Sequence, residues 1–409
     1  FDRQARRTLF YMDTVRSRIA YGYPLPPLRI PVRMTTENFF SNGLAMMAPR
    51  RIEMGGIPAI DTYSEPWLKQ LATHEYRHMV QFGNINRSTV KILGYLFGQQ
   101  APLLATGLVP FWFLEGDAVM AETQMSSFGR GLQPSFTMHY RALGDEILHK
   151  KNPDKWFCGS YRDYVPSHYE LGFQLVAHAD RTYDEYLGTV LTHYTSDYPI
   201  FIFTTQLALN RYYGTSTRKL FRETFSALNR LWDSLPDTGN SPRVVSPAVK
   251  SYTTYSHPLY VDDSTLLVLK EDYHRTSRFV EIDLRSGEER PVCHTGIVST
   301  RPVFRNGTVI WTAERGVGAE SRFTALHHAL RQRFLSAGTL LRRRNPLSDA
   351  DRRRRHGIRA LPPRRPLFGG AALPPPRHDK PPLQRFGIAA RTRLGRPDAM
   401  LLLHRPLRR

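Results

Sequence analysis

The 409-residue sequence predicts an α+β protein in which a helix-rich domain precedes an all-β segment and a basic tail. Apolar residues recur at helical spacing through much of residues 1–235, and they alternate at strand spacing across residues 248–315. Ser, Pro, Gly and Asp dominate residues 236–247, which predicts a linker between the two parts. No period continues through residues 316–409, whose Arg, Pro, Leu, Ala and Gly composition favours disorder.

The elements of the first domain follow from the spacing of apolar residues and from the residues that end helices. Short alternating runs predict strands at Leu28–Met34 and Leu44–Met54. Amphipathic runs predict six helices, one of which begins after Pro66 and ends at Gly83-Asn84. The six helices cover Arg3–Ile19, Trp67–Phe82, Phe113–Gln124, Tyr169–Ala179, Thr182–Thr195 and Arg218–Leu231.

The stretch Ile92–Leu114 contains no charged residue and is long enough to cross a bilayer. However, it includes Gln99, Gln100, Pro102 and Pro110, and the candidate metal ligands described below flank it on both sides. If those ligands hold one ion, the stretch cannot cross a membrane between them. We therefore predict a buried helical excursion with a turn, and no transmembrane helix.

The all-β segment carries a repeated strand pattern. Four short strands separated by turns are predicted at Ser256–Tyr260, Thr265–Leu269, Phe279–Leu284 and Arg290–Cys293. The first two are echoed from Pro302 to Ile310, about 44 residues further along, which is within the ~40–50-residue period of propeller blades. One blade and a fragment of a second cannot close a propeller. We therefore predict a partial β-propeller, whose repeats would offer a surface to a protein partner.

The net charge of +21 is concentrated in the tail. From Leu341 to Arg409 there are 18 Arg and one Lys against four Asp, so the first 340 residues carry only about +6. Nucleic acid is therefore not predicted as a partner of the body. The tail leaves two interpretations open, a basic nucleic-acid arm or the product of a shifted reading frame. Cys158 and Cys293 form no Cys-x-x-Cys motif, which gives no basis for a thiolate zinc site.

Residues 74–78 form the motif His-Glu-x-x-His on a predicted helix. Positions i and i+4 share one face of a helix, so the imidazoles of His74 and His78 can bind one tetrahedral Zn²⁺. Glu75, one position along, would lie where a carboxylate can take a proton from water. The motif therefore predicts a zinc site with a general base beside it.

A third protein ligand would complete a zinc site that keeps one position open for water. Glu115 lies in a mostly apolar run, Phe111–Glu122, downstream of the motif. A carboxylate near the start of a helix is often present only because it interacts well with the helix dipole. In apolar surroundings, however, an ionised side chain needs a partner, which a metal ion would supply. We predict Glu115 as the third ligand.

Three motifs in this order resemble those of gluzincin zinc metallopeptidases, particularly their aminopeptidase branch. They are His-Glu-x-x-His, the Trp-x-x-Glu-Gly-x-Ala pattern of residues 112–118 with a second Glu at position 122, and Tyr-Glu-x-Gly at residues 169–172. The resemblance implies a zincin-like metallopeptidase fold for residues 1–235, zinc as the cofactor and a peptide or protein as the substrate. It also implies that Glu122 supports a ligand histidine and that the Tyr169 hydroxyl stabilises the transition state.

Two departures limit what the resemblance implies. About 37 residues separate His78 from Glu115, roughly twice the gap of the familiar gluzincins, so Asn84–Pro110 is predicted to be an inserted excursion. No Gly-x-Met-Glu-Asn signature precedes the zinc helix, so aminopeptidase specificity is not predicted. Leu44–Ala48 is instead predicted to be an edge strand that can pair with the backbone of a substrate.

Together these residues predict zinc-dependent hydrolysis of a peptide bond, with Glu75 as general base and Tyr169 as oxyanion donor. A tyrosine at a helix start is also frequently a packing residue, and that alternative stays open for Tyr169. A second class of function also stays open, a peptidase-like, propeller-bearing scaffold that binds protein partners without turnover. The β repeats resemble the TolB-type propeller, and their combination with peptidase motifs implies an exported protein, periplasmic or associated with the cell envelope.

Overall fold

The computed structural model describes residues 2–26, 29–35, 41–56, 65–144, 146–149, 152–160, 163–236, 244–249, 251–298, 300–317 and 320–330. All of them belong to one unit of the chain, Phe1–Arg331. Most of the predicted linker and the predicted tail from residue 331 onward lie outside the described residues. The described part is a mixed α/β structure in which the helices come first and most strands follow.

The described part of the chain contains twelve α-helices, all of them before residue 234. They are α1 (Asp2–Val15), α2 (Trp67–Ile85), α3 (Ser88–Phe97), α4 (Gln100–Gly107), α5 (Phe111–Gln124), α6 (Pro134–Leu143), α7 (Glu146–His149), α8 (Pro153–Cys158), α9 (His168–Thr182), α10 (Leu187–Asp197), α11 (Thr204–Tyr213) and α12 (Thr217–Asp233). A single 3-10 turn, Arg130–Leu132, follows α5.

All six predicted helices are present, with ends that differ by a few residues. The helix predicted to begin at Thr182 begins at Leu187 instead, because α9 itself runs to Thr182. Helix α2 continues through Gly83-Asn84, where the buried Asn84 amide donates to the Val80 carbonyl at 2.8 Å within the helix. The sequence did not predict α6, α7, α8 or α11, which have ten residues or fewer.

A three-stranded sheet lies between α1 and α2 in the chain. It consists of β1 (Val32–Thr35), β2 (Gly43–Met47) and β3 (Arg50–Gly55) in the order β1-β3-β2. Strand β1 pairs with β3 in parallel, and β2 pairs with β3 antiparallel. The strand predicted at Leu28–Met34 is present in its second half, as β1, whereas residues 27 and 28 lie outside the described part.

The prediction of a single strand at Leu44–Met54 is wrong, since this run forms the β2–β3 hairpin. The chain reverses at Ala48-Pro49, where proline has no N–H with which to continue a strand ladder. Strand β2 is at the edge of the sheet, as predicted for Leu44–Ala48, and it packs against α2. The hairpin therefore lies next to the helix that carries the His-Glu-x-x-His motif.

Helices α5 and α9 cross with their backbones in contact. A Cβ on Gly172 would lie 1.7 Å from the carbonyl oxygen of Trp112, and a Cβ on Gly116 would lie 2.1 Å from the carbonyl carbon of Gly172. Only glycine permits so close an approach of two helices. The crossing brings the part of α5 that carries Glu115 beside the start of α9, which carries Tyr169.

The excursion predicted for Asn84–Pro110 is the helical hairpin α3–α4, with Gly98 at a positive φ of 68° between the helices. Its predicted burial is wrong, because Val90 is the one fully buried residue of α3 and Tyr95, Leu96 and Phe97 are exposed. The hairpin packs one face against α2 and α10, which leaves its opposite apolar face uncovered. Among the described residues no single helix is long and apolar enough to cross a membrane; the pair α4–α5 passes that test only jointly and is bent by 89°.

The β segment begins with an antiparallel sheet of four strands in sequential order, as the first predicted repeat requires. These strands are β4 (Thr253–Asp262), β5 (Thr265–Asp272), β6 (Arg278–Asp283) and β7 (Glu289–His294). A second sheet follows, in which β10 (Thr308–Val317) pairs with β8 (Ile297–Val298), β9 (Val303–Arg305) and β11 (Glu320–Ala329). In the described part neither sheet closes on itself, and the Phe279 and Trp311 rings, 5.1 Å apart, pack between them.

The predicted start of the tail at residue 316 is wrong for the residues up to Ala329. Strand β10 continues to Val317, and β11 pairs with it over ten residues, from Glu320 opposite Val317 to Ala329 opposite Thr308. Polar residues interrupt the apolar alternation of Glu320–Ala329. The backbone hydrogen bonds to β10 therefore hold this strand. The spacing of its apolar residues does not predict it.

Candidate metal centre

Helix α2 places the two predicted histidine ligands in the interior of the helical part. Every residue of this helix from Ala72 to Ile85 is buried, including His74, Glu75 and His78. The Nε2 atoms of His74 and His78, one turn apart, lie 3.2 Å from each other. Buried polar side chains need partners, so two converging imidazoles indicate one partner that both can share.

Helix α5 brings the predicted carboxylate to the same point. Oε2 of Glu115 lies 3.0 Å from Nε2 of His74 and 3.4 Å from Nε2 of His78. Three ligands at about 2.0–2.1 Å from a tetrahedral zinc ion lie about 3.3 Å from one another. The donor set of two imidazoles and one carboxylate and the spacing of its atoms therefore fit Zn²⁺, and no other group of this kind occurs among the described residues.

The pKa values of these groups show how strongly they interact. Burial lowers the pKa of His74, but hydrogen bonds to Glu115 and Glu122 outweigh burial and raise that pKa to about 9. Burial raises the pKa of Glu115, whereas hydrogen bonds from His74 and His78 hold it well below its usual range. A proton shared between His74 and Glu115 lies where a cation would bind, because metal binding to histidine displaces a proton.

Gln81 orients the His78 ring. Nδ1 of His78 donates to Oε1 of Gln81 at 2.8 Å, which leaves Nε2 as the ligand atom. The Gln81 amide nitrogen donates to the Leu114 carbonyl at 2.9 Å and to Oδ2 of Asp117 at 2.6 Å. These two acceptors fix the orientation of the Gln81 amide. Because both lie on α5, that helix determines which ring nitrogen of His78 carries the proton. Gln81 was not predicted, since its role depends on the contact between the two helices.

Arg130 stands between His74 and the carboxylate predicted to support it. Oε1 of Glu122 lies 3.6 Å from Nδ1 of His74, whereas Nη2 of Arg130 lies 2.6 Å from that oxygen and 3.0 Å from the same Nδ1. A histidine that binds metal through Nε2 carries its proton on Nδ1, which then needs Glu122 as acceptor. Burial raises the pKa of Glu122, but the Arg130 charge and the His74 contact outweigh burial and lower it, so Glu122 is an anion that both groups share.

A buried ion pair connects the two helices that carry the ligands. Nη2 and Nε of Arg77 lie 2.7 and 2.9 Å from the two carboxylate oxygens of Asp117. The hydroxyls of Tyr23 and Tyr186 donate to the same carboxylate. Both charged residues are fully buried. They occupy positions that the two motifs leave open, and their pairing was not predicted. Opposite charges at buried positions of two neighbouring helices need each other as partners.

Tyr169 lies beside the cluster, at the start of α9. Its ring centroid is 6.0 Å from that of His74, and the Arg130 guanidinium carbon is 5.2 Å from its ring. Burial raises the pKa of Tyr169, and the negative charge of Glu115 raises it further. The hydroxyl therefore keeps its proton at neutral pH and can act as a donor.

Glu75 faces the edge strand β2. A Cβ on Gly43, the first residue of that strand, would lie 2.7 Å from Cγ of Glu75 and 2.9 Å from its Oε1. The negative charge of Glu75 also raises the pKa of Tyr169. The structure thus brings the predicted site residues into one region, with the Glu75 carboxylate against the edge strand and near Tyr169.

Comparison with protein-family models, with curated proteins and with solved structures gives no match. The resemblance drawn from the motifs at residues 74–78, 112–122 and 169–172 therefore stays a prediction. The geometry of the centre itself therefore carries the functional argument.

Glu170 is a further buried carboxyl next to Tyr169. Its Oε2 has no hydrogen-bond partner among the described residues. Burial raises the pKa of Glu170 to about 7. This environment was not predicted, because a glutamate in the first turn of a helix is usually solvated.

Proposed function

We propose that the chain is a zinc-dependent peptide-bond hydrolase of the gluzincin type. The observation that carries the proposal is the convergence of three buried donor atoms, with separations of 3.0, 3.2 and 3.4 Å. In this proposal His74, His78 and Glu115 hold Zn²⁺. Bound zinc lowers the pKa of water from ~15.7 towards ~7 and polarises a carbonyl group.

Glu75 is the proposed general base. It is buried on the same helix as the two histidines, one residue from His74, and makes no part of the ligand triangle. Its carboxylate would take the proton of the attacking water and pass it to the leaving amine. The absence of a side chain at Gly43 leaves this carboxylate the room it occupies.

Tyr169 is the proposed donor to the substrate carbonyl oxygen as negative charge develops there. Its place beside His74 and its raised pKa support this role. Arg130, whose guanidinium lies over the Tyr169 ring, would hold that ring and Glu122 in one arrangement. Glu122 would in turn keep the proton of His74 on Nδ1.

Edge strand β2 is the proposed place for the substrate backbone. An exposed strand edge offers unpaired N–H and C=O groups with which an extended peptide can form a ladder. Because β2 begins at Gly43, next to Glu75, a peptide paired with this strand would run past the general base. This arrangement requires no free terminus on the substrate.

The four-stranded meander β4–β7 supports the proposal that residues 248–315 are propeller-like repeats. Such repeats would bind a protein partner or position a protein substrate. If the centre bound zinc without turnover, this surface would make the chain a scaffold. The proposal therefore has to be tested separately for metal binding and for catalysis.

The test compares three variants of the full-length chain. Elemental analysis should give about one zinc per chain, and His78→Ala should lose it. Glu75→Gln should keep the zinc and cleave a mixed peptide library ~10²-fold or more slowly than wild type. Glu65→Gln is the matched control, since Glu65 is also buried but pairs with Lys69, at 2.7 Å, outside the cluster.

Folded wild-type protein that takes up no zinc would overturn the metal site. A Glu75→Gln variant that cleaves at the wild-type rate would overturn the mechanism. If zinc-loaded wild type cleaves no peptide in the library, the chain is a scaffold and not a hydrolase.

A further inference from the structure

Two segments of the helical part expose an unusual number of large apolar side chains. They are the hairpin α3–α4 and the loop between α10 and α11. In the described part of the chain twelve such side chains are more than three-fifths exposed, and eight of them lie on these two segments. We call these eight the apolar surface: Ile92, Tyr95, Leu96, Phe97, Leu104, Ile200, Ile202 and Phe203.

The two segments adjoin each other. Helix α3 packs on α10, and the loop 198–203 follows directly from α10. The hydroxyl of Thr204, at the end of that loop, donates to the Leu108 carbonyl, at the end of α4, over 3.4 Å. Leu108, at the end of α4, lines the same cleft of about 1040 Å³ as Ile202 and Phe203 of the loop. The two segments therefore adjoin at this cleft, and we treat their eight exposed side chains as one surface.

Cations outnumber carboxylates around this surface. Residues 86–114 and 198–213 contain Arg87, Lys91 and Arg211 and no carboxylate. Lys91 and Arg211 are exposed, while Arg87 is half-buried with Nη1 2.6 Å from the His193 ring. Of the acidic residues next to these ranges in the chain, Glu115 is buried and Asp197 is exposed. Asp154, in the adjoining cleft, pairs with Arg218. The partner that complements this surface is apolar and carries negative charge at its border.

An anionic phospholipid bilayer has that chemistry, with apolar chains below a layer of negatively charged headgroups. A second copy of the chain fits less well, because a symmetric interface would bring the same cations of both copies together. Backbone groups within the two helices are paired, and the unpaired groups at the helix ends would stay in the hydrated headgroup region. Its turn, Gly98-Gln99-Gln100, carries no charge that would have to leave water.

We propose that the apolar surface docks on the interface of an anionic phospholipid membrane, with α3 and α4 lying in the interface rather than crossing it. The cleft that this surface borders also contains Trp112 and His168, at the starts of α5 and α9. Docking would therefore place this cleft, beside the starts of the helices that carry Glu115 and Tyr169, at the membrane surface. The membrane proposal does not depend on zinc binding or on peptidase activity.

The experiment is flotation of the full-length chain with vesicles of equimolar phosphatidylcholine and phosphatidylglycerol. It is done at about 1 M NaCl, where charges are screened beyond ~3 Å and the Arg-rich tail contributes little. Wild type should float with the vesicles, and the triple variant Tyr95→Ser, Phe97→Ser, Phe203→Ser should lose this binding by about ten-fold or more. The matched control removes three exposed apolar side chains elsewhere, Leu9→Ser, Phe10→Ser, Tyr260→Ser, and should float like wild type.

A second measurement reports insertion directly. Phe97→Trp should add fluorescence that brominated phosphatidylcholine quenches, whereas Phe10→Trp should add fluorescence that it does not quench. A triple variant that floats like wild type, or equal quenching at both positions, overturns the proposal. A lipid-free dimer in light scattering that the triple variant makes monomeric also overturns it, since the surface would then belong to a second copy.

Discussion

The hairpin α3–α4 and helix α5 follow one another in the chain, and both consist largely of apolar residues, yet they have opposite environments. Helix α5 buries three carboxylates, Glu115, Asp117 and Glu122. The hairpin exposes rings and aliphatic side chains such as Phe97 and Leu104 to solvent. Folded proteins ordinarily bury apolar side chains and expose carboxylates.

The two regions differ in whether their unusual side chains have partners within the described part of the chain. Every buried carboxylate of α5 has a cationic or imidazole neighbour, Arg77 for Asp117 and Arg130 for Glu122, and Glu115 faces two imidazoles. Such burial is tolerated only where the charge is compensated. The exposed apolar side chains of the hairpin lack comparable cover within the described part of the chain. We have proposed a metal cation as the partner of Glu115 in the first region and a membrane interface as the partner of the second.

The largest effect should appear when two single variants are compared, one at a buried carboxylate and one at an exposed ring. We expect the loss of the carboxylate to destabilise the fold far more than the loss of the ring. Asp117→Ala leaves the Arg77 guanidinium buried without its carboxylate, so we expect it to lower the free energy of unfolding by about 3–5 kcal/mol. Phe97→Ala removes a ring that is already in water, so we expect a change within about 0.5 kcal/mol. Urea denaturation measured on the folded chain gives both values.

The double variant Arg77→Met, Asp117→Leu provides the control for Asp117. It removes both charges at similar volume and should recover part of the lost stability, since the unpaired charge is gone but the buried hydroxyls of Tyr23 and Tyr186 still lose their acceptor. If Asp117→Ala is as stable as wild type, the ion pair does not join α2 to α5. If Phe97→Ala costs as much as a core substitution, the hairpin face is covered in solution.

A smaller effect should follow from two glycine substitutions, one in each region. Gly172→Ala places a methyl group 1.7 Å from the Trp112 carbonyl oxygen, so α5 and α9 must separate, at a cost of about 1–3 kcal/mol. Gly107→Ala, in α4, meets no atom within 4 Å and should be neutral or stabilising by up to ~1 kcal/mol.

Zinc titration of the same two variants sharpens the comparison. The helix crossing positions Glu115 beside Tyr169, so Gly172→Ala should weaken zinc binding while Gly107→Ala leaves it unchanged. Equal zinc affinity of the two variants would show that the crossing does not position the ligand.

Local spacing explains why part of the centre could be predicted. His74, Glu75 and His78 occupy one helix, where i and i+4 geometry is independent of the rest of the fold. Glu115 could be predicted from the chemistry of a carboxylate in apolar surroundings. Gln81 and Arg130 could not, because their partners, Asp117 in one case and Glu122 with His74 in the other, are set by how helices and the 3-10 turn meet.

The same limit applies to the fold. Periodicity identified the helices and the meander, but it does not say which apolar face another element will cover, so the exposure of α3–α4 was missed. It also missed β11, whose ladder with β10 depends on a partner strand and hardly on its own side chains. The β2–β3 hairpin was missed, although Pro49 marks a point where a strand ends.

The smallest effect concerns Glu170, a buried acid whose Oε2 has no hydrogen-bond partner in the described part of the chain. Its pKa is raised by burial to about 7, from an ordinary value near 4.5, so the folded protein holds this proton more tightly than the unfolded chain does. The contribution of the group to stability is therefore full below about pH 4.5 and is lost as the pH rises to 7. Glu170→Gln keeps the size of the side chain and cannot ionise.

Thermal unfolding of wild type and Glu170→Gln, at fixed zinc concentration, should therefore diverge as the pH rises. At pH 5 we expect nearly equal Tm values. At pH 8 we expect the variant to unfold later by about 2–4 °C, which corresponds to ~1 kcal/mol after allowance for solvent near the carboxyl. Asp154→Asn, at an exposed carboxylate paired with Arg218, is the control and should show no such divergence. A Tm difference that is constant between pH 5 and 8 would mean that Glu170 is ionised throughout and has a compensating partner, like the carboxylates of α5.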